Sequence, residues 1–272
     1  MTTSRKILFT DMDGTLLDDK KEISDSVRKA IKKLVDDGHY LVLSSGRPIG
    51  SILETRQRLG LDVAGSFIIG FNGSLTYSCD TNSPVFEHTV PLKDLRIVME
   101  EAHRLGIHCQ TYEHGDIIVE AENEELAFYK KNIHIPHRVV GDIISYMTIP
   151  PYKLLATHLS DRSKLEQLSE NVLARTDGDI LPTFSNDNYL EFYSKDSGKG
   201  TALRELSAYL NVPIENCAAI GDEFNDISMI EAAGLGCAMA NGRDEVKKAA
   251  AFITTRDNNH DGILDLIDYF FC

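Results

Sequence analysis

Short apolar runs alternate with amphipathic stretches at both ends of the chain, and the period of the apolar positions separates strands from helices. Lys6 to Thr10 predicts a strand. Ser24 is placed to N-cap a helix with Val27, Ala30, Ile31, Leu34 and Val35 on one face, and Gly38 ends it. Leu41 to Ser45 predicts a second strand, Ile49 to Leu59 a helix closed by Gly60, and Phe67 to Gly70 a third strand. The same alternation returns near the C-terminus, with helices at Thr201 to Leu210, Asp226 to Ala233, Arg243 to Ala250 and Gly262 to Phe270. Strands lie between them at Cys217 to Ile220 and Gly236 to Met239. Strand, helix, strand in this order is the pattern of a doubly wound parallel sheet.

The middle of the chain changes style. Helices at Leu92 to Leu105 and Asp161 to Ala174 are mixed with strands at Ile107 to Tyr112, Asp116 to Glu120, Lys153 to His158 and Tyr189 to Tyr193. The fold class expected is therefore α/β: a doubly wound parallel-sheet, Rossmann-like core with an inserted α+β cap domain. The core takes residues 1–82 and 192–272, and the insertion takes 83–191. A length of 272 residues allows both parts a core of their own.

Composition narrows the class. Hydrophobic residues are 42% and charged residues 26%, the balance of a folded domain and not of a disordered or fibrous chain. Lys and Arg total 28 against 42 Asp and Glu, a net charge of −14 that disfavours nucleic acid and anionic membrane as partners. No apolar run reaches the roughly 18 residues of a membrane span, and the opening Met-Thr-Thr-Ser-Arg-Lys leads directly into a strand, so a cytoplasmic location is expected. Five cysteines without CxxC spacing predict reduced thiols, not a disulfide framework or a zinc site. His134 and His137 are the one close histidine pair, and Pro136 breaks the helical geometry that would aim both at one metal.

Chemistry concentrates where strands end, which is where open α/β sheets bind ligands. Asp11 and Asp13 close the first strand in Phe9-Thr-Asp-Met-Asp-Gly-Thr, spaced so that both can face one way while Gly14 turns the chain. One carboxylate can attack and the other can move a proton. Asp222 and Asp226, in Gly-Asp-Glu-Phe-Asn-Asp, form a second acidic corner beyond a strand. Two such corners imply a shared hard cation, and Mg²⁺ suits oxygen ligands of this kind. Ser45 and Gly46 in Ser-Ser-Gly-Arg offer a hydroxyl and a backbone N–H to a phosphoryl oxygen, and Lys199 opens a helix with a fixed positive charge.

The order DxDGTLL, SSGR, GKG, GDxxND resembles the haloacid-dehalogenase-like hydrolases, in particular the Cof-type phosphatases, over essentially the whole chain. The resemblance implies Asp11 as nucleophile and Asp13 as general acid/base. It implies Ser45, Gly46, Lys199 and Asn225 at the phosphate, with Met12 counted among the substrate contacts. Mg²⁺ would be held by Asp11, Asp222 and the backbone carbonyl of Asp13, with Asp226 supporting it from nearby. Asn72, in Phe-Asn-Gly, and Arg47 are candidates to face the substrate, although a turn asparagine and a surface arginine fit those two positions equally well. The implied activity is Mg²⁺-dependent hydrolysis of small phosphomonoesters, sugar phosphates or similar metabolites, through an aspartyl-phosphate, by a monomer or weak homodimer. A phosphohexomutase of the same superfamily is the alternative enzyme. A receiver-like phospho-accepting module is the non-enzymatic one, and it needs about half this length and no cap. A dinucleotide-binding protein is disfavoured because no GxGxxG follows the first strand.

Overall fold

The computed structural model describes residues 5–131 and 133–271. Met1 to Ser4, part of the opening stretch considered above, and Cys272, one of the five cysteines, lie outside them. In chain order the elements begin with β1 (Ile7–Asp11), α1 (Asp25–Asp36), β2 (Tyr40–Ser44), α2 (Ile49–Arg58), β3 (Ser66–Gly70), β4 (Leu75–Ser78) and β5 (Ser83–Glu87). There follow α3 (Leu92–Leu105), β6 (His108–Glu113), β7 (Asp116–Val119), α4 (Glu124–Tyr129), β8 (His137–Val139), α5 (Ile143–Tyr146), β9 (Leu154–Thr157), α6 (Arg162–Arg175), β10 (Ile180–Asn186) and β11 (Tyr189–Ser194). The chain closes with α7 (Lys199–Tyr209), β12 (Cys217–Gly221), α8 (Ile227–Ala232), β13 (Leu235–Ala238), α9 (Asp244–Ala249), β14 (Phe252–Ile253) and α10 (Ile263–Phe271).

Two compact units result, one of residues 1–86 with 198–272 and one of residues 87–197. The first contains an eight-stranded sheet in the order β14-β13-β12-β1-β2-β3-β4-β5. β1 lies between β12 and β2, parallel to both, with Thr10 opposite Ile220 and Asp11 opposite Ser44. Side-chain alternation in β1 supplies both faces of this sheet. Leu8 joins a cluster with Ile31, Leu41, Leu43, Ile220 and Leu266, whereas Ile7 and Phe9 join Val42, Leu203, Leu206, Ala219 and Met229. Strands buried on both faces read as continuous apolar runs, as β1 and β12 do. α1 forms where expected: the Ser24 hydroxyl accepts from the Val27 N–H at 3.1 Å, and Val27, Ile31 and Leu34 are buried.

The second unit has its own six-stranded sheet, ordered β10-β11-β9-β6-β7-β8. One face carries Cys109, Leu154, Ala156 and Phe192 against Leu95, Val98 and Met99 of α3 and Leu165 and Leu168 of α6. The unit edges differ from the 82/83 and 191/192 positions expected from the sequence. β5 belongs to the first sheet although it begins at Ser83, and β11 remains paired with β9 and β10 beyond residue 191. Cys79, Cys109, Cys217 and Cys237 are free thiols. No helix among the described residues is long and apolar enough to cross a membrane.

Candidate active site

The site gathers at the carboxyl ends of β1, β2 and β12 in the first unit. Asp11 shares the alternation of Ile7 and Phe9, so its side chain leaves the sheet on the face that α7 covers. Lys199 is the first residue of α7 and is 1% exposed. Its Nζ donates to Asp11 Oδ1 and to Asp226 Oδ1, each at 2.6 Å, with the Ser44 carbonyl at 3.4 Å. Burial alone would push this ammonium toward losing its proton, but Asp11 and Asp226 override burial and hold it above its ordinary range.

Asp226 is fully buried and locked by further bonds. Its Oδ2 accepts from the backbone N–H groups of Asp222 and Glu223 at 3.0 Å each. Gly221 is required beside it, since a Cβ there would lie 2.4 Å from the Asp226 Cβ. Asp222 accepts a bond from the Thr15 hydroxyl at 2.8 Å. Carboxylate oxygens of Asp11, Asp222 and Asp226 lie within 4.8 Å of one another. Three carboxylates and one ammonium leave an excess of two formal negative charges, and the pKa directions register it. Burial and Asp226 push Asp11 well up, with Lys199 opposing. Burial, and then Asp226 against the Thr15 hydrogen bond, push Asp222 up to about 6. This all-oxygen set with unbalanced negative charge fits a hard divalent cation. Asp11 and Asp222 have oxygens to offer, while Asp226 already uses one on Lys199 and the other on two N–H groups.

Asp13 faces elsewhere. Its Oδ1 meets Arg47 Nη2 at 2.5 Å and Lys21 Nζ at 2.8 Å. Burial works against the charge, but Arg47 and Lys21 outweigh it and keep this carboxyl below its usual range. Of the side chains singled out from the sequence, Lys199 bonds Asp11 and Asp226, and Asp222 lies within 4.8 Å of both carboxylates. Ser45 is buried beyond β2, its hydroxyl accepting from the Arg47 N–H at 3.2 Å. Asn225 donates to Asn72 Oδ1 at 2.9 Å, and a Cβ on Gly46 would lie 3.0 Å from that same oxygen, so Asn72, Asn225 and Gly46 form one patch. Met12 does not join through its side chain, which is 0% exposed in the apolar cluster with Leu8 and Ile220. Its backbone alone is at the turn, where the carbonyl accepts from the Leu17 N–H at 2.8 Å.

Two contacting residues were not foreseen. Thr15 stands inside the DGT run that was read for its acids and glycine. Lys21 gives no periodic signal; it meets Asp13 from a turn in which its own backbone is left-handed, at φ 62°.

Comparison with known proteins bears on this geometry. The family model described as haloacid dehalogenase-like hydrolase matches residues 8–267. YitU of Bacillus subtilis, named a 5-amino-6-(5-phospho-D-ribitylamino)uracil phosphatase, is 30% identical over 277 residues, covering 100% of this chain and 99% of that protein. A haloacid dehalogenase-like hydrolase from Bacteroides thetaiotaomicron superposes with a TM-score of 0.89 at 30% identity over 98% of this chain and 99% of that one. TM0651 from Thermotoga maritima gives a TM-score of 0.87 at 29% identity, covering 97% of each chain.

Proposed function

We propose, for a chain that belongs to the haloacid dehalogenase-like hydrolases, that Asp11 is the nucleophile of a Mg²⁺-dependent phosphatase acting on small phosphomonoesters such as sugar or polyol phosphates. The protein is a phosphoric monoester hydrolase. The observation that carries the nucleophile assignment is the Asp11 carboxylate fixed by Lys199 at a strand end beside Asp222 and Asp226. Asp11 attacks phosphorus and the ester P–O bond breaks, leaving phosphate on the carboxylate. Water then attacks that acyl phosphate and releases inorganic phosphate with Asp11 restored.

Asp13 moves the proton in both halves, giving it to the leaving oxygen first and taking it from water second. It rests ionised against Arg47 and Lys21. A phosphate dianion competes with Asp13 for Arg47, and a carboxyl that loses a cation rises toward the range in which it can carry a proton. Ser45, the Gly46 and Met12 backbone N–H groups, Asn225 and Lys199 bind the phosphoryl oxygens, and Asn72 orients Asn225 through their shared bond. A loose phosphoryl-transfer transition state is stabilised mainly by such placed charges and donors. Asp11, Asp222 and the Asp13 carbonyl would hold Mg²⁺, with Asp226 behind them, and the ion would supply charge neutralisation and a template for phosphate oxygens. Residues 87–197 serve as the substrate-selecting cap. The name of YitU, with its phosphoribityl group, supports a small phosphorylated polyol or sugar as the substrate class.

Phosphate release from a panel of sugar phosphates, polyol phosphates and p-nitrophenyl phosphate tests the reading. Activity is expected with Mg²⁺, and a fall of at least about 10²-fold after exhaustive chelation. Ca²⁺ is expected to restore little, because its looser coordination places Asp11 poorly. No release from any ester overturns the function, and undiminished release after chelation overturns the metal.

A further inference from the structure

The loop between β13 and α9 reaches two corners of the site at once. Asn241 Nδ2 donates to the carbonyl of Gly14 at 2.8 Å, and Asn241 Oδ1 accepts from the backbone N–H of Asn258 at 3.0 Å. A carbonyl can only accept and a backbone N–H can only donate, so the two partners fix which way the amide points. On either side of Asn241 the loop's own backbone is tied to the second acidic corner. The Met239 N–H donates to the Gly221 carbonyl and the Arg243 N–H to the Asp222 carbonyl, each at 3.0 Å.

The peptide that Asn241 holds matters because of what lies on its other side. Gly14 sits at φ +82° against Asp222, so close that a Cβ there would be 2.4 Å from Asp222 Oδ2. The nitrogen of the same peptide unit belongs to Thr15, whose hydroxyl donates to Asp222 Oδ1. The N–H of that peptide donates to the Met12 carbonyl at 3.4 Å, so Asn241 on the carbonyl and Met12 on the N–H together fix the plane from which Thr15 reaches Asp222. Asn258 provides a contrast within the same network. Its side chain donates to the Leu17 carbonyl at 3.0 Å, at the far end of the turn from Asp13.

We propose that Asn241 is a positioning residue: it clamps the Gly14–Thr15 peptide so that Thr15 stays on Asp222. The proposal rests on the phosphatase reading for its kinetic consequence and on the hydrogen bonds alone for its structural one. Asn241 is exposed, so water competes for its bonds and its share in global stability is small. Placement is the larger effect, since misalignments of around 1 Å can cost about 10²-fold in rate.

The test uses the full-length protein with Mg²⁺ and p-nitrophenyl phosphate. Asn241→Ala is expected to lower kcat by about tenfold while KM stays within about threefold, the split of a residue that acts on the reacting geometry and not on substrate binding. Asn241→Asp, which sets a carboxylate against the Gly14 carbonyl, is expected to lose at least as much. Asn258→Ala retains the backbone N–H that orients Asn241 and is expected to keep kcat within about twofold. Hydrogen exchange of the Thr15 amide is expected to accelerate in Asn241→Ala over wild type. A kcat within twofold of wild type in Asn241→Ala, or an equal fall in Asn258→Ala, overturns the proposal. If the wild type hydrolyses no ester, the phosphatase reading fails, and Thr15 exchange alone decides the clamp: faster exchange in Asn241→Ala supports it and unchanged exchange overturns it.

Discussion

Each unit of the molecule buries one lysine almost completely, and the charge around the two lysines differs. Lys199 in the first unit is 1% exposed and Lys153 in the second is 2% exposed. Lys199 contacts two carboxylates at 2.6 Å, with Asp222 beside them, so negative charge exceeds positive. Lys153 pairs with Glu191 at 3.1 Å and lies 5.3 and 5.9 Å from the ring centroids of Tyr112 and Tyr193. Here each buried charge meets an opposite one, and the two ions offset their lost hydration with each other and with the aromatic faces. An acidic cluster with one lysine is unfinished. It retains an attraction for cations that the folded chain does not satisfy, and burial, with Asp226 adding to it, makes Asp11 and Asp222 hold protons more tightly than ordinary aspartates. Functional sites commonly keep this kind of uncompensated charge at the expense of stability.

Removing the nucleophile breaks the comparison most severely on the side of activity. Asp11→Asn is expected to reduce turnover by roughly 10⁴-fold or more, as loss of a covalent nucleophile does elsewhere. The same change removes one of three crowded negative charges, so thermal stability is expected to hold or rise. Asp13→Asn keeps the nucleophile and loses proton transfer, a loss of about 10² to 10⁴-fold. Steady-state kinetics and melting curves on both variants check these outcomes. Wild-type turnover in Asp13→Asn would move the acid/base role to another group.

The lysine pair in the second unit responds through stability. Lys153→Met leaves the Glu191 carboxylate buried without its lysine, a cost of about 3 kcal/mol. Combining it with Glu191→Leu is expected to recover most of that loss, because a well-packed apolar pair replaces buried ions at little cost. Urea unfolding of the single and double variants measures the recovery. A double variant as unstable as the single one would show that Lys153 and Glu191 are not a self-contained pair. At Lys199 the corresponding double change, Lys199→Met with Asp11→Leu, still leaves Asp226 buried without its lysine and is expected to recover neither stability nor turnover.

Legibility in the sequence followed the range of the interactions. The strands and helices of the first unit carry their own periodicity and caps, as at Ser24 and Val27, and the acidic corners lie where short motifs end strands. Only the partnerships were hidden. Lys199 and Asp11 are 188 residues apart, and Thr15 and Asp222 are 207 apart, so no local pattern announces their bonds. The Lys153 and Glu191 pair is another such case, one charged residue just before β9 and one in β11, whose neighbours give no reason to expect burial. β4 was missed because it follows β3 across Phe71 and Asn72, at φ 50° and 53°, a left-handed reversal that nonglycine residues rarely take. Met12 is counted among the substrate contacts by the resemblance, but its side chain follows Leu8 into the core, which leaves only its backbone to face a ligand.

The smallest expected effect is a pH dependence that isolates the unfinished charge. Burial pushes Asp222 up to about 6, and Asp11 rises for the same leading reason. Aspartates of the unfolded chain titrate near 3.9, so the folded state binds these protons more tightly. The stability they contribute is fully present below about pH 4 and is lost as pH rises through about 6. His39 and His108, held low mainly by burial, act in the opposite sense as pH falls, so a pH series on one protein mixes the two. Comparing wild type with Asp222→Asn, both free of divalent cations, cancels the histidines. Asp222→Asn is expected to gain over wild type by about 1.4 kcal/mol, roughly 3 °C in melting temperature, between pH 5 and pH 7.5. Mg²⁺ at pH 7.5 is expected to raise the melting temperature of wild type and to do much less for Asp222→Asn, since a ligand that binds only the folded state stabilises by its affinity. A difference between the two proteins that stays constant from pH 5 to pH 7.5 would mean that Asp222 titrates like an ordinary aspartate and that Lys199 already balances the cluster.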